Sequence, residues 1–120
     1  LTLKLDGALT ARSATVAFSD ILEKAGPFGA GHSQPVFAFP NHRVKHSRIV
    51  GRDHVSVTLE STDGKTLRAI SFKSAETPLG NAVLNGQGQM LHLAGTLSAD
   101  YWQGSKRLQL RIIDAALPAK

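Results

Sequence analysis

The sequence predicts an all-β domain, a small barrel of five strands with a short helix before it and a helical insert within it. Two observations predict this: apolar and polar residues alternate along five segments after residue 36, and turn dipeptides separate these segments. The chain has 120 residues, which is enough for one domain with its own core. Residues 36–116 are expected to form the barrel, and residues 1–35 lead into it.

The leading segment is predicted to contain a short strand and then a helix. TLKL at residues 2–5 alternates between polar and apolar side chains, as a strand does. Ser13 is a suitable N-cap for a helix over residues 14–25, which Gly26-Pro27 would end. The glycines and prolines that follow predict a loop, with Phe28 packed into the core.

The barrel strands follow from the alternation. The first can break at Pro40-Asn41, Gly51-Arg52-Asp53 predicts the next turn, and Asp63-Gly64 predicts a hairpin. Gly80 and Asn81 weaken the helical pattern of the insert, whereas Gly95 suits a sharp bend in a long strand. The expected strands are 36–50, 54–60, 67–73, 89–99 and 106–112, with the helical insert at 76–86.

Three strands, a helix and two further strands is the element order of the OB-fold. This Greek-key barrel binds oligonucleotides with the face of its second and third strands and with two loops, which join strands 1–2 and strands 4–5. The same order also fits SH3-like barrels and other small β domains. We therefore expect an OB-fold, with these alternatives open at this point.

The charge is unevenly distributed. The formal net charge is +5, and residues 36–73 carry seven cations against three anions, whereas residues 1–35 carry three of each. A basic balance favours an anionic partner, most commonly nucleic acid. The alternative is a solvated surface rich in Lys and Arg.

The only Tyr and the only Trp, Tyr101 and Trp102, precede the predicted turn Gln103-Gly104 and stand close to cations. Aromatic rings can stack on bases while Lys and Arg contact phosphates. The alternative is that Trp102 covers one end of the core. The residues expected to contact a single strand are Arg43, Arg52, His54, Lys65, Arg68, Lys73, Tyr101, Trp102, Lys106, Arg107, Gln109 and Arg111.

Three segments in order resemble the C-terminal OB domain of RecJ, the single-stranded-DNA-specific exonuclease. PFGAGHSQPVF at 27–37 resembles the signature Pro-Phe-Gly-x-Gly-Asn-x-x-Pro-x-Phe, with His32 in place of the usual Asn. HVSVTLESTDGKTLRAISF at 54–72 and WQGSKRLQLRIIDA at 102–115 match later parts of the family pattern. The resemblance implies a domain that grips single-stranded DNA for a 5′→3′ exonuclease core outside this chain.

The sequence carries no catalytic motif of its own. The nuclease site of that family uses Asp and His clusters, including Asp-His-His, to hold divalent metal ions, and the five histidines here are scattered. We expect no metal or cofactor in this chain, and Mg²⁺ or Mn²⁺ in the catalytic domains of a longer parent chain, of which a chain beginning with Leu would be a fragment. A stand-alone hydrolase is disfavoured because its motifs are absent.

Two other functions stay open: a protein-interaction or scaffolding barrel that packs on those catalytic domains, and a general single-stranded RNA- or DNA-binding module. The chain has no cysteine, no visible signal peptide and no apolar run near the ~20 residues of a membrane span. We therefore expect a cytoplasmic location without membrane contact.

Overall fold

The computed structural model describes residues 5–25 and 34–118, without the side chains at 23–25, 100 and 102. The predicted strand at 2–5 falls almost wholly outside these ranges. Phe28 and His32 also lie outside them.

Five long strands close into a barrel, and a two-residue strand joins its outside. β2, β3 and β4 are antiparallel neighbours, β4 pairs with β6 in parallel, and β5 pairs antiparallel with both β6 and β2. This is the order expected of the OB-fold, so that prediction is confirmed. The elements are β1 (Gly7–Ala8), α1 (Val16–Ala25), β2 (Phe37–Val50), β3 (His54–Glu60), β4 (Thr66–Ser71), α2 (Pro78–Leu84), β5 (Met90–Trp102) and β6 (Ser105–Ala116).

The core follows directly from the period-two alternation of the strands. Every second residue of β3 is buried, and Leu59 and Val55 are fully shielded from solvent. β6 contributes in the same way, with Leu110 at the centre. Since inward side chains of all five barrel strands meet in one cluster, the intervening residues form an outer face.

Two irregularities bend the long strands. β2 does not break at Pro40-Asn41; instead its register with β5 shifts there, and Asn41 has a positive φ of 55°. At Gly95 the register between β5 and β6 also shifts. A Cβ on Gly95 would stand 2.8 Å from the carbonyl carbon of Arg111. The bend predicted at Gly95 thus depends on the close approach of two backbones.

α1 begins later than the sequence suggested, because Thr15 and not Ser13 is its N-cap. The Phe18 N–H donates to Thr15 Oγ1 at 3.1 Å, as an N-cap requires. Ser13 instead accepts a hydrogen bond from the Thr10 N–H at 2.9 Å and forms a separate turn. The Ser13 cap prediction is wrong, since the local turn with Thr10 occupies that hydroxyl. Phe18 packs edge-on against Phe37, with ring centroids 5.7 Å apart.

A buried histidine ties the N-terminal segment to the barrel. His42 Nε2 accepts a hydrogen bond from the Ala11 N–H at 3.0 Å, and its Nδ1 lies 3.0 Å from the Pro40 carbonyl oxygen. The ring is therefore neutral, with its proton on Nδ1. Burial lowers the pKa of His42 below its ordinary value of 6.5, although two backbone carbonyls act in the opposite direction.

The turn between β3 and β4 makes a second tie. Asp63 accepts hydrogen bonds from the Ser61 hydroxyl, from the Arg12 guanidinium and from the Lys65 N–H. These partners hold the pKa of Asp63 well below its ordinary value, with Ser61 the largest cause. Arg12 thereby gives the leading segment another link to the barrel, in addition to the one at His42.

The hairpin of β5 and β6 is longer than predicted. Tyr101 pairs with Lys106 and Trp102 with Ser105, so both aromatic residues belong to β5. The connecting turn contains only Gln103 and Gly104, whose positive φ angles of 50° and 78° suit a tight hairpin. The helical insert is confirmed as α2, which Thr77 caps by accepting from the Gly80 N–H at 3.0 Å.

Candidate nucleic-acid interface

The outer side chains of the barrel form two rows across all five long strands, which together we call the polar face. Residues paired across neighbouring strands share one side of a sheet. Neighbouring strands lie about 4.8 Å apart, so each row extends over roughly 19 Å. The first row is His46, Thr58, Arg68, Gln109 and Ser98, and the second is Arg48, Ser56, Ile70, Arg111 and Thr96.

The polar face has positive charge without negative charge. Arg48, Arg68 and Arg111 are exposed, and neither row contains Asp or Glu. A groove of about 470 Å³ runs between β2, β3 and β4, where the hydroxyls of Ser56 and Thr58 lie beside the arginines and Gln87 closes one side. Guanidinium groups and hydroxyls of this kind bind phosphate oxygens.

One end of the polar face carries an exposed aromatic ring. Phe72 follows β4 and is 44% exposed, with the Cζ of Arg111 4.6 Å from its ring centroid. The ring of His54 meets it edge-on at 5.2 Å. His54 Nδ1 accepts a hydrogen bond from the Lys73 N–H at 2.9 Å, which leaves the ring proton on Nε2 in this arrangement.

Six predicted residues lie on or beside the polar face. Arg68, Gln109 and Arg111 are in its rows, and His54 adjoins the second row. Arg107 is half-buried and lies two residues before Gln109 on the same face of β6. Lys73 is exposed at the end that carries His54.

The remaining predicted cations are more dispersed. Arg52 is exposed in the turn from β2 to β3, and Lys65 is exposed in the turn at the opposite end of the face. Arg43 Nη1 donates to the Gly88 carbonyl oxygen at 2.6 Å. Lys106 Nζ contacts Asp20 Oδ1 on α1 at 2.7 Å, so this charge is already compensated on the inner side of β6.

Of the two aromatic residues of β5, Tyr101 does not lie on the polar face. Tyr101 is 75% exposed, but it pairs with Lys106 and shares its face, which is opposite to that of Arg107. The side chain of Trp102 lies outside the described part. Its role as a stacking ring or as a cover of the core stays a prediction.

Sequence reasoning missed Arg48, His46 and Phe72. A signal for Phe72 was present: Leu67, Ala69 and Ser71 point inward, so the next residue in the alternation points outward. A signal for His46 and Arg48 was present too, because both stand at even positions, which are outward when the alternation is counted from Phe37. The register shift near Pro40-Asn41 and the shift between Val44 and His46 cancel, so the alternation is correct again at the end of β2.

The described side chains offer no metal centre. Within residues 5–25 and 34–118, no three His, Cys, Asp or Glu side chains come together as ligands of an ion. His42 has both ring nitrogens occupied in the core, and His92 Nδ1 accepts from the Asn41 N–H at 3.0 Å. No helix in the described ranges is long and apolar enough to span a membrane.

The barrel order defines this chain as an OB-fold domain, the class whose members bind oligonucleotides or oligosaccharides on one barrel face. The family model described as RecJ OB domain matches residues 5–114. The chain therefore belongs to the RecJ OB domain family.

Solved structures show the same fold. The chain is similar to RecJ from Thermus thermophilus in complexes with Mn²⁺ and with Mg²⁺, at TM-scores of 0.57 and 0.59 and 20% identity. These matches cover 87% and 86% of this chain but only 14% and 15% of the RecJ chains. It is also similar to Rim1, a mitochondrial single-stranded DNA binding protein from S. cerevisiae, at a TM-score of 0.50 and 14% identity, over 71% of this chain and 97% of Rim1. No curated protein matches the sequence.

Proposed function

We propose that the chain binds single-stranded DNA on its polar face and holds it for the catalytic core of a RecJ-like 5′→3′ exonuclease. The observation that carries this proposal is the pair of cross-strand rows with three exposed arginines and no carboxylate. Rim1, whose fold is similar, is described as a single-stranded DNA binding protein, which supports the same class of ligand. The catalytic core would use Mg²⁺ or Mn²⁺ to hydrolyse the DNA. This chain would bind the DNA and take no part in the chemical step.

The side chains of the polar face favour a single strand over a duplex. OB-folds that bind single strands combine a basic groove with base-stacking rings, and each fold covers about 4–16 nucleotides. The rows here present arginines between hydroxyl and amide side chains, and they lack a protruding helix that would enter a major groove. Unpaired bases can lie against such a surface while their phosphates contact the arginines.

Fluorescence anisotropy with labelled oligo-dT tests the proposal directly. If four or five phosphates are contacted, log K should fall against log[salt] with a slope of about −3 to −3.5. A duplex of the same sequence should bind more weakly, and oligo-U separates DNA binding from a general single-strand function. An affinity for oligo-dT that does not change with salt, or that is no better than for duplex, contradicts the proposal.

A second candidate, packing against the catalytic domains of the same parent chain, is favoured by an apolar groove. This groove of about 250 Å³ lies beside β5 and β6, away from the arginines, and Leu5 at its rim is 48% exposed. The chain spans only about 15% of the RecJ chains it resembles, so further domains are the expected occupant. Ala115→Asp in the groove should release the chain from separately expressed catalytic domains and leave oligo-dT binding intact. Unchanged association excludes this surface.

A further inference from the structure

We propose that Phe72, with Arg111 and His54, forms a subsite that stacks on one unpaired base at the end of the polar face. This inference rests on the proposed function and adds to it a specific ring and a specific ligand element. The three residues come from different parts of the barrel: His54 begins β3, Phe72 follows β4, and Arg111 lies on β6. Only the closed barrel brings them together.

Phe72 is exposed and at the same time held in place. Its neighbour Ser71 is 1% exposed, whereas the ring itself is 44% exposed and faces the side of the arginines. Scattered apolar side chains on a surface are common and need no explanation. This ring differs because Arg111 lies over it at 4.6 Å and His54 holds it edge-on at 5.2 Å. A ring with a fixed orientation loses little entropy when a base stacks on it.

Arg111 covers Phe72 in the unbound domain, and a base can replace it. An exposed cation–π contact is generally weaker than the stack of a base on an aromatic ring. The exchange is therefore favourable, and it also frees the guanidinium for a phosphate of the same strand. Arg111 is exposed and can make this movement without disturbing the core.

His54 adds a hydrogen-bond donor of defined tautomer beside the ring. Because Nδ1 accepts from the Lys73 N–H, the neutral ring carries its proton on Nε2, while Asp53 Oδ1 lies 3.7 Å from Nδ1, on the other side of the ring from the Nε2 donor. Nε2–H can donate to a base carbonyl or to a phosphate oxygen. Stacking does not distinguish bases, so the subsite should accept any base and reject a position that lacks one.

The test uses Phe72→Leu in the 120-residue chain, with Phe72→Tyr as a variant that retains the ring. Affinity is measured for oligo-dT and for an abasic sugar-phosphate oligonucleotide of equal length. Phe72→Leu should weaken oligo-dT binding about 5- to 150-fold, which corresponds to one stack, and leave abasic binding unchanged. Phe72→Tyr should bind oligo-dT as the unmodified chain does. Ile21→Ala, which alters a 63% exposed apolar residue on α1, is the matched control.

A second measurement needs no variant. Oligonucleotides containing 5-iodouracil are irradiated on the unmodified chain, and cross-linked peptides are identified by mass spectrometry. We expect a cross-link at Phe72 or His54. If oligo-dT binds but Phe72→Leu binds equally well, or all cross-links map elsewhere, the subsite is refuted while the proposed function stands. If the unmodified chain binds no single strand, the proposed function itself fails.

Discussion

Gly95 shows how one missing side chain shapes the barrel. The pairing of β5 with β2 ends at Gly95, whereas its pairing with β6 continues on both sides of this residue, and the backbone of Gly95 comes close to that of Arg111. A methyl group would overlap the Arg111 carbonyl, and since both partners are backbone neither can rotate away. Arg111 is also a member of the polar face, so the same contact positions a candidate binding residue.

Gly95→Ala is therefore expected to lower the free energy of unfolding by about 1–3 kcal/mol, the usual cost of overpacking. Gly7→Ala is the matched control, because its added Cβ would meet Phe37 Cδ1 at an ordinary 3.7 Å. That variant should change stability by less than about 1 kcal/mol. Thermal melting of both variants checks the pair, and equal melting temperatures would contradict the close approach at Gly95.

His42 makes stability depend on pH through a single buried ring. Its pKa is lowered in the fold, so between that value and 6.5 the unfolded chain binds more protons than the folded chain. The contribution of the neutral His42 ring to the free energy of unfolding should therefore be fully present above pH 6.5. It should decrease as the pH falls through this window. Protonation also places a second N–H opposite the Ala11 N–H, which breaks the tie to the leading segment.

Denaturant unfolding between about pH 7.5 and pH 5 measures this effect. We expect the loss of stability in acid to shrink in His42→Gln, which cannot take up the proton. His46→Gln, which changes an exposed histidine of the polar face instead of a buried one, is the matched control. An identical pH profile for His42→Gln would show that the buried ring does not cause it.

At the scale of elements, β2 and β4 carry the exposed charge of the groove. Arg48 and Arg68 lie on either side of β3 in adjacent rows. Replacing both by Gln should make the salt slope for oligo-dT shallower by about 1.4, at about 0.7 for each phosphate that is no longer neutralised. Lys45→Gln is the control, since Lys45 Nζ already lies 3.7 Å from Glu60 Oε2. If the salt slope for oligo-dT changes by the same amount in the double variant and in the control, the phosphates do not contact Arg48 and Arg68.

The elements also show where sequence reasoning reaches its limit. Alternation located every barrel strand, because inward residues must be apolar in each of them. Alternation predicted β5 and β6 too short, because Tyr101 and Trp102 stand beside a turn dipeptide and were assigned to the loop. In the structure the pairing of the two strands continues to Trp102 and Ser105. Register shifts are set by contacts between strands, so the outward position of Arg43, which lies between the two shifts of β2, could not be inferred from alternation within that strand alone.

As a whole molecule, the chain should bind without cleaving. Among the described residues no cluster of ligands can hold the metal ions that assist phosphodiester hydrolysis. Incubation with labelled oligo-dT and Mg²⁺ or Mn²⁺ should leave the oligonucleotide intact, whereas addition of a RecJ-like catalytic core should restore degradation. Release of mononucleotides by the pure chain would reveal a site that the described residues do not show.

The parallel pairing of β4 with β6 has a kinetic consequence. Arg68 and Gln109 are neighbours in space but about 40 residues apart in the chain, so this seam closes only after a long loop has been ordered. We expect refolding to be slow and limited by this closure. A bound strand would lie across the seam and hold both sides together. Saturating oligo-dT, at about 100 times its Kd, should then add about 2.7 kcal/mol to the free energy of unfolding. The bound DNA would thus stabilise the fold that binds it, and this stabilisation would be lost when the DNA dissociates.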